Sequence, residues 1–515
     1  MAILGNFIKT AIELTDKLLP EPNAVEAQQQ VLRKLLTTAK DTAFGQQYKF
    51  NGILKSVNLP LSYAQHVPFH DYQKIYDEWW YQLLEGEQDI TWPGRPNYFA
   101  LSSGTTGSTS KRIPVTDEML AAIRNTGIQQ VTSLANFDLP PEFFEKEIMM
   151  LGSSTDLQNQ GNYLEGEISG ISASNIPFWF KGYYKPGDEI AQIDDWDTRV
   201  QKIAERAETW DIGALSGIPS WIELMLKKVI DYHGLKNIHE IWPNLMVYTP
   251  GGVAFEPYRK SFEKLLAHPL IYLDTYLASE GFLAFQNRPD TNAMSLVVDN
   301  GIYFEFVPFE EKNLTEEGNV REDAEVLTLA EVEEGVDYVL IITTVAGAWR
   351  YMIGDTIMFT DKGRHEIRIT GRTKHFLNVV GSQLSVHKMN DAIQKLEEHF
   401  DVTIPEFTVA AVRRNADQEY IHRWYLGSDE TIDERKATQL LDEVLSNMNK
   451  NYSVARSKAL KGVEVKVVPT DIFYNWSERS KKKGGQVKTS RVMSEEKFAE
   501  WEEFAQENYT LTKVP

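Results

Sequence analysis

Apolar and polar positions alternate along this chain in three textures, each predicting different elements. Helical spacing dominates first. Residues 1–42 predict two helices broken at PEPN, and DYQKIYDEWWYQLL (71–84) predicts a third with an aromatic face. PNYFAL (96–101) predicts a strand, and 116–134 a helix. A mixed α/β stretch follows. EIMMLG (147–152), NLMVYTPGG (244–252) and LIYLDTY (270–276) predict strands, while PSWIELMLKKVIDYH (219–233) and EPYRKSFEKLL (256–266) predict helices. Pro219 sits where a first helical residue needs no amide hydrogen. From about 282 short runs alternate with polar turns: FLAF, MSLVV, GIYFEFV, AEVLTL, DYVLIITT, TIMF and HEIRIT. These predict an antiparallel, barrel-like sheet attached to the α/β body. After GRTKHFLN (371–378) the pattern becomes a smaller α+β unit. Its expected parts are helix VHKMNDAIQKLEEHF, strands FTVAAVRR and IHRWYLG, helix ERKATQLLDEVLSNMNK and strand VEVKVV. The expected fold class is therefore α/β, with a large N-terminal domain over 1–373 and a small mobile α+β C-terminal domain over 374–515.

Composition narrows the function classes. The 515 residues carry a formal net charge of -21 and no cysteine. Thiolate catalysis, disulfides and Cys-ligated metal sites are excluded. An acidic chain with no basic face argues against nucleic acid or an anionic membrane as partner. The N-terminal segment lacks a basic leader and is interrupted by Lys9, Glu13, Asp16 and Lys17, so it reads as an amphipathic helix rather than a signal peptide. No run is long and apolar enough to span a bilayer, and the expected compartment is the cytoplasm.

The stretch LSSGTTGSTSKRIP (101–114) has seven Ser and Thr, two Gly and then Lys111. Its spacing fails the Walker pattern, because two residues separate Gly104 from Gly107 and Arg112 follows the lysine. Hydroxyl donors, close backbone approach at glycine and a mobile cation still suit a phosphate; a Ser/Thr-rich linker ahead of a helix has the same composition. DTYLASEG (274–281) puts Ser279 and Glu280 just past the expected strand LIYLDTY. A carboxylate beside a bound phosphate is repulsive unless a divalent cation lies between them, which Glu280 can ligate. In WRYMIGD (349–355), Asp355 follows a glycine turn and can accept from two ribose hydroxyls. Taken singly, Glu280 is an ordinary capping or surface carboxylate and Gly354–Asp355 an ordinary turn.

In order, SSGTTGSTSK, YTPGG, DTYLASEG, YMIGD and GRTKHFLNVVGSQL resemble the motifs of the adenylate-forming superfamily of acyl-CoA synthetases, luciferases and peptide synthetase adenylation domains. More narrowly, FGQQYKFNGI, VPFHDYQKI with a later LLEGE, the SSGT form of the loop and VEEGVDYVLIITTVAGAWRYMIGD resemble the Gretchen Hagen family of auxin-responsive acyl-acid amido synthetases. The resemblance runs from about residue 44 to the KTSR at 488–491.

That resemblance implies ATP and magnesium as cofactors, and a small carboxylic acid and an amine, an amino acid, as substrates. It assigns the β- and γ-phosphates of ATP to Ser102, Ser103, Thr105, Thr106 and Lys111. Gly251, Gly252 and Val253 would carry adenine along the backbone, with Tyr276 stacked on it. Ser279 would touch the α-phosphate and Glu280 bind magnesium. Asp355 and Arg372 would hold ribose, and Lys374 would be the domain hinge. Arg112 departs from the glycine common there in acyl-CoA synthetases. The C-terminal catalytic lysine corresponds to Lys488 in GGQVKTSR, with Lys481, Lys482 and Lys483 as competitors. Arg124, on the helix after the loop, is the candidate partner for the acid's carboxylate, and NIPFWFKGYY (175–184) can wall an aromatic acid or fill a core. His365, His375 and His387 lie near the hinge and read as surface histidines. The implied activity is an ATP-dependent acid–amine ligase working through an acyl-adenylate. An acyl-CoA ligase of the same fold and a non-catalytic nucleotide- or acyl-binding relative are the alternatives.

Overall fold

The computed structural model describes residues 9–10, 23–102, 111–176, 180–252, 255–315, 318–373, 384, 386–414, 419–448, 452–453, 456–457, 460–479, 490–493 and 495–512. Most of the expected N-terminal helix, with Ser103, Thr105, Thr106, Val253, Lys374, His375 and Lys488, lies outside the described residues. The chain divides into two compact units. The first comprises 1–255 and 264–368, and the second 369–515 together with Glu256–Glu263.

Three sheets build the first unit. A five-stranded sheet has the order Tyr184–Lys185, Glu147–Leu151, Ile212–Gly217, Val247–Pro250, Ile271–Tyr272, and its registered pairs are all parallel. Helix Pro219–His233 packs with it, opened by Pro219 and closed by left-handed Gly234. A four-stranded sheet joins Lys111–Val115, Tyr98–Ser102, Leu164–Gly166 and Gln158–Asn159. A seven-stranded sheet runs Thr275–Ala278, Gly281–Phe285, Met294–Leu296, Glu366–Arg372, Tyr351–Asp361, Asp337–Thr344, Ile302–Pro308. Helix Ala24–Ala39 is tied to its last strand by buried Gln28, whose amide nitrogen donates to Val298 O and Ile302 O and whose oxygen accepts from Phe304 N.

Two expected elements differ in the structure. LIYLDTY is not one strand: Ile271–Tyr272 closes the parallel sheet, and Thr275–Ala278 opens the seven-stranded one. The apolar run is continuous because each piece is covered by a different layer. Likewise Gly354–Asp355 is not a turn but part of the eleven-residue strand Tyr351–Asp361. The AEVLTL run contributes only the bridge Phe306–Leu327.

The second unit is a three-stranded sheet, Glu406–Arg414, Glu419–Gly427 and Leu460–Val468. Helices Val386–Phe400 and Glu434–Met448 supply part of one core, while Thr470–Arg479 and Glu495–Thr512 contribute Phe473, Trp476, Phe498, Trp501 and Phe504 to another. Helix Glu256–Glu263 joins this unit through buried Tyr258, whose hydroxyl donates to Glu406. Arg491 Nη1 donates to the same carboxylate at 2.8 Å.

Each unit holds a buried histidine in its neutral form. Burial lowers His70 from 6.5 to about 4 and His422 from 6.5 to about 3. The unfolded chain therefore binds these protons first as pH falls, so stability is full above pH 6.5 and is lost on acidification through the window below it. Urea midpoints measured at pH 7 and pH 5 should fall, by about 2 kcal/mol of stability per histidine. Equal midpoints would mean that both rings are protonated in place.

Candidate nucleotide site

The site is built at the ends of strands in the first unit. Ala278 pairs with Gly281, which makes Ser279 and Glu280 the two residues of a hairpin turn. They therefore sit at the tip of an antiparallel hairpin, not past the end of a parallel strand. Gly281 has φ +153°, and a Cβ there would lie 2.9 Å from Ile302 Cδ1. The backbone conformation favours glycine at the base of the turn, while the contact asks only for a shift of the Ile302 methyl. Glu280 is only 6 % exposed, and its carboxylate accepts from the hydroxyl of fully buried Tyr351. Burial first, and then the Glu280 charge, push the Tyr351 phenol well above its ordinary range, so it remains a donor.

Tyr351 begins the strand that carries Asp355. Tyr276, 5 % exposed, donates its hydroxyl to Asp355 Oδ2 at 2.5 Å. The preceding residue, Thr275, donates from Oγ1 to Pro250 O at 2.9 Å. That bond fixes the end of strand Val247–Pro250, where Gly251 and left-handed Gly252 follow. The structure thus brings together Gly251, Tyr276 and Asp355, which are far apart in the chain, with Tyr351 and Glu280 on the same two strands' continuation. Ser279 is half-buried on the turn.

The Ser/Thr/Gly loop has a different frame from the expected strand–turn–helix. Tyr98–Ser102 pairs antiparallel with Lys111–Val115, Ser102 opposite Lys111, and helix Asp117–Ser133 follows only after that second strand. Residues 103–110 lie outside the described residues, but both ends of the loop are fixed. Lys111 Nζ lies 5.4 Å above the ring of Tyr72. Arg112 forms a fork with buried Glu165, Nε to Oε2 at 2.8 Å and Nη2 to Oε1 at 3.3 Å. This pair accounts for the departure at Arg112: the side chain reaches across strand Tyr98–Ser102 and ties its own strand to Leu164–Gly166 on the far side.

The other candidates are placed by elements of their own. Arg124 is exposed on helix Asp117–Ser133. Arg372 is the exposed last residue of Glu366–Arg372 and belongs to the second unit. In 175–184, Phe180 and Tyr183 stack at 6.4 Å and Tyr184 is buried in its strand. His365 lies in the left-handed turn before Glu366. Tyr351, Tyr72 and Glu165 were not singled out by sequence reasoning. Tyr351 stood inside a motif read for its Gly-Asp, and Tyr72 inside a helix read for its aromatic face.

Chemically, a carboxylate such as Asp355 can accept from hydroxyls, and the Tyr276 ring beside it is buried in the core of the first unit. Among the described residues no three His, Asp or Glu side chains cluster to hold a metal by themselves. A cation at Glu280 would be held by one hard carboxylate oxygen together with substrate oxygens and water, which suits magnesium.

The chain matches the GH3 family N-terminal domain over residues 20–203, the GH3 family central domain over 295–372 and the GH3 family C-terminal domain over 387–497. It belongs to the GH3 family. A rice relative, "Probable indole-3-acetic acid-amido synthetase GH3.9" of Oryza sativa subsp. japonica, is 26% identical over 267 residues, covering 47% of this chain and 57% of the relative. The chain spans about half the length of the first curated GH3 relatives it matches. Among solved structures, the GH3.15 acyl acid amido synthetase shares the fold with a TM-score of 0.77 at 16% identity, over 97% of this chain and 96% of the other. A 2-hydroxyisobutyryl-CoA ligase in its postadenylation state shares it with a TM-score of 0.57 at 14% identity, over 94% and 92%. The GH3 fold is therefore mixed α/β with a separate C-terminal unit. No helix among the described residues is long and apolar enough to cross a membrane.

Proposed function

We propose that this GH3 protein is an ATP-dependent acyl-acid amido synthetase that joins a small carboxylic acid to an amino acid. The observation that carries the reading is the meeting of the Tyr276 hydroxyl with Asp355, one strand's end away from Glu280 on Tyr351. An adenylating site needs this grouping: an aromatic face and a hydroxyl-binding carboxylate for the nucleoside, and a hard oxygen near the phosphates. The name of the rice relative supports the same chemistry.

The acid's carboxylate attacks the α-phosphorus of ATP and pyrophosphate leaves, giving an acyl-adenylate. The amino acid's neutral amine then attacks the acyl carbon, AMP leaves with the bonding pair, and the nitrogen releases one proton to solvent to give the amide. Asp355 and Arg372 hold the ribose, and Gly251, Gly252 and Val253 line adenine with Tyr276. Lys111 and the loop hydroxyls of Ser102, Ser103, Thr105 and Thr106 take the departing phosphates, and Ser279 the α-phosphate. When bound on Glu280, magnesium supplies neutralisation of the triphosphate charge. Lys488 is the proposed second cation at the reacting phosphate, with Lys374 as hinge between domains 1–373 and 374–515. Arg124 is retained only as a proposed contact to the acid.

ATP–pyrophosphate exchange over a panel of aromatic, alkyl and fatty acids tests this directly. Acid-dependent exchange is expected, followed by amide and AMP formation when amino acids are added without coenzyme A. AMP release that instead requires coenzyme A would make the protein an acyl-CoA ligase. Failure to bind ATP at all would refute an adenylating role.

A further inference from the structure

Residues 72–84 form one helical run with an internal change of pitch: Tyr72–Ile75 and Tyr81–Leu84 are α-helical, and Tyr76–Trp80 between them is a π-turn. Such turns recur at functional sites. Asp71 caps the run, accepting from Lys74 N at 2.9 Å. Tyr72, Tyr76 and Trp80 lie on one face as a ladder. Tyr72 stacks on Tyr76 with centroids 5.6 Å apart and meets Trp80 edge-on at 6.2 Å. Trp80, fully buried, packs against Tyr351 at 5.7 Å, and Tyr351 donates to Glu280. At the other end the Tyr72 ring lies under Lys111 Nζ at 5.4 Å, and the Tyr72 hydroxyl accepts from Arg112 N at 2.8 Å. Two successive residues at the exit of the Ser/Thr/Gly loop are therefore held by one tyrosine. Through Trp80 that tyrosine is braced against the partner of Glu280.

We propose that Tyr72 is a positioning residue for the triphosphate. Its ring holds the Lys111 ammonium and its hydroxyl holds the backbone where the loop ends. The role rests on the adenylating function above, in which Lys111 addresses the β- and γ-phosphates. A lysine on a four-carbon stem has many rotamers, and ordering it on an aromatic face before the nucleotide arrives removes part of that entropy cost from binding. The hydroxyl bond sets the strand register at the loop exit, so that the ammonium starts from a fixed Cα.

The test uses the full-length protein, with Tyr72→Leu and Tyr72→Phe, and calorimetric titration with ATP and with AMP. AMP lacks the phosphates that Lys111 addresses. Tyr72→Leu should weaken ATP by up to about tenfold, the cost of immobilising one rotamer-rich side chain, and leave AMP unchanged. Tyr72→Phe keeps the ring and should recover most of the ATP affinity. Equal weakening of ATP and AMP would overturn the proposal in favour of general damage to the fold, as would wild-type ATP affinity in Tyr72→Leu. Wild-type protein that binds neither nucleotide would overturn the function itself and the role of Tyr72 with it.

Discussion

Replacing Glu280 with alanine is expected to lower acid-dependent ATP–pyrophosphate exchange by about 10²–10³-fold, the usual cost of one group that stabilises charge developing on oxygen. The difficulty is that Glu280 also accepts from buried Tyr351. Removing it leaves a buried hydroxyl without that acceptor, which costs about 1–3 kcal/mol of stability. A loss of exchange in Glu280→Ala alone would therefore be ambiguous. Glu280→Gln separates the two effects, because a side-chain amide oxygen still accepts from Tyr351 but carries no charge. If the negative charge matters, Glu280→Gln loses exchange nearly as far as Glu280→Ala, keeps a near-native melting temperature, and needs more magnesium for half-maximal rate. If Glu280 serves only to hold Tyr351, Glu280→Gln exchanges like wild type and the assignment of a cation to this carboxylate is wrong.

The candidate residues of the proposed site were named from the sequence, but their arrangement was not. The Ser/Thr/Gly loop, Glu280 and Asp355 could be picked out from local composition, because small residues and isolated acids interrupt apolar runs visibly, whereas Gly251–Gly252 and Tyr276 were named as site residues only through the family resemblance. Their partners were not legible. Tyr276 donates to Asp355 across 79 positions of sequence, and nothing local to either residue encodes that bond. The run LIYLDTY hid a change of sheet because both layers ask for the same apolar residues, whether a strand is parallel or antiparallel. Gly354 misled for a related reason. Glycine with φ +90° inside a long strand marks an irregularity of the ladder as readily as a turn. Strand Lys111–Val115 was missed since KRIPV is short and opens with two charges, one of which, Arg112, is neutralised only by Glu165 on the adjoining strand's partner. In the smaller α+β unit the three strands and helices Val386–Phe400 and Glu434–Met448 were read from their periods, but helices Thr470–Arg479 and Glu495–Thr512 were missed.

The largest expected loss of stability lies beside the site, at Arg350. This residue is 3 % exposed and left-handed at φ +42°, and it stands immediately before Tyr351. Its guanidinium donates to Glu305 Oε2 at 3.0 Å and, from Nη1, to Ala64 O and Val67 O, each at 2.8 Å. It also lies 4.0 Å from the ring centroid of Phe69. Its backbone is clamped too: Arg350 N donates to Thr343 Oγ1, and Arg350 O accepts from His70 N. Burial pushes Glu305 above the usual carboxylate range, and the arginine opposes that shift. Arg350→Ala would strand Glu305 and two carbonyl groups in the core, at a cost of about 3–5 kcal/mol. Arg350→Gly loses the same side chain but adopts the left-handed backbone without strain, which restores about 1–2 kcal/mol. The expected order of urea midpoints is therefore wild type, then Arg350→Gly, then Arg350→Ala. Equal midpoints for the two variants would show that the ion pair, not the backbone inversion, carries the whole effect. An alanine variant as stable as wild type would mean that Glu305 takes up a proton and finds other partners. The clamp matters to the site because Arg350 immediately precedes Tyr351, the donor to Glu280. Losing it is expected to loosen that bond, which couples the packing of Glu305 to the carboxylate proposed to hold the cation.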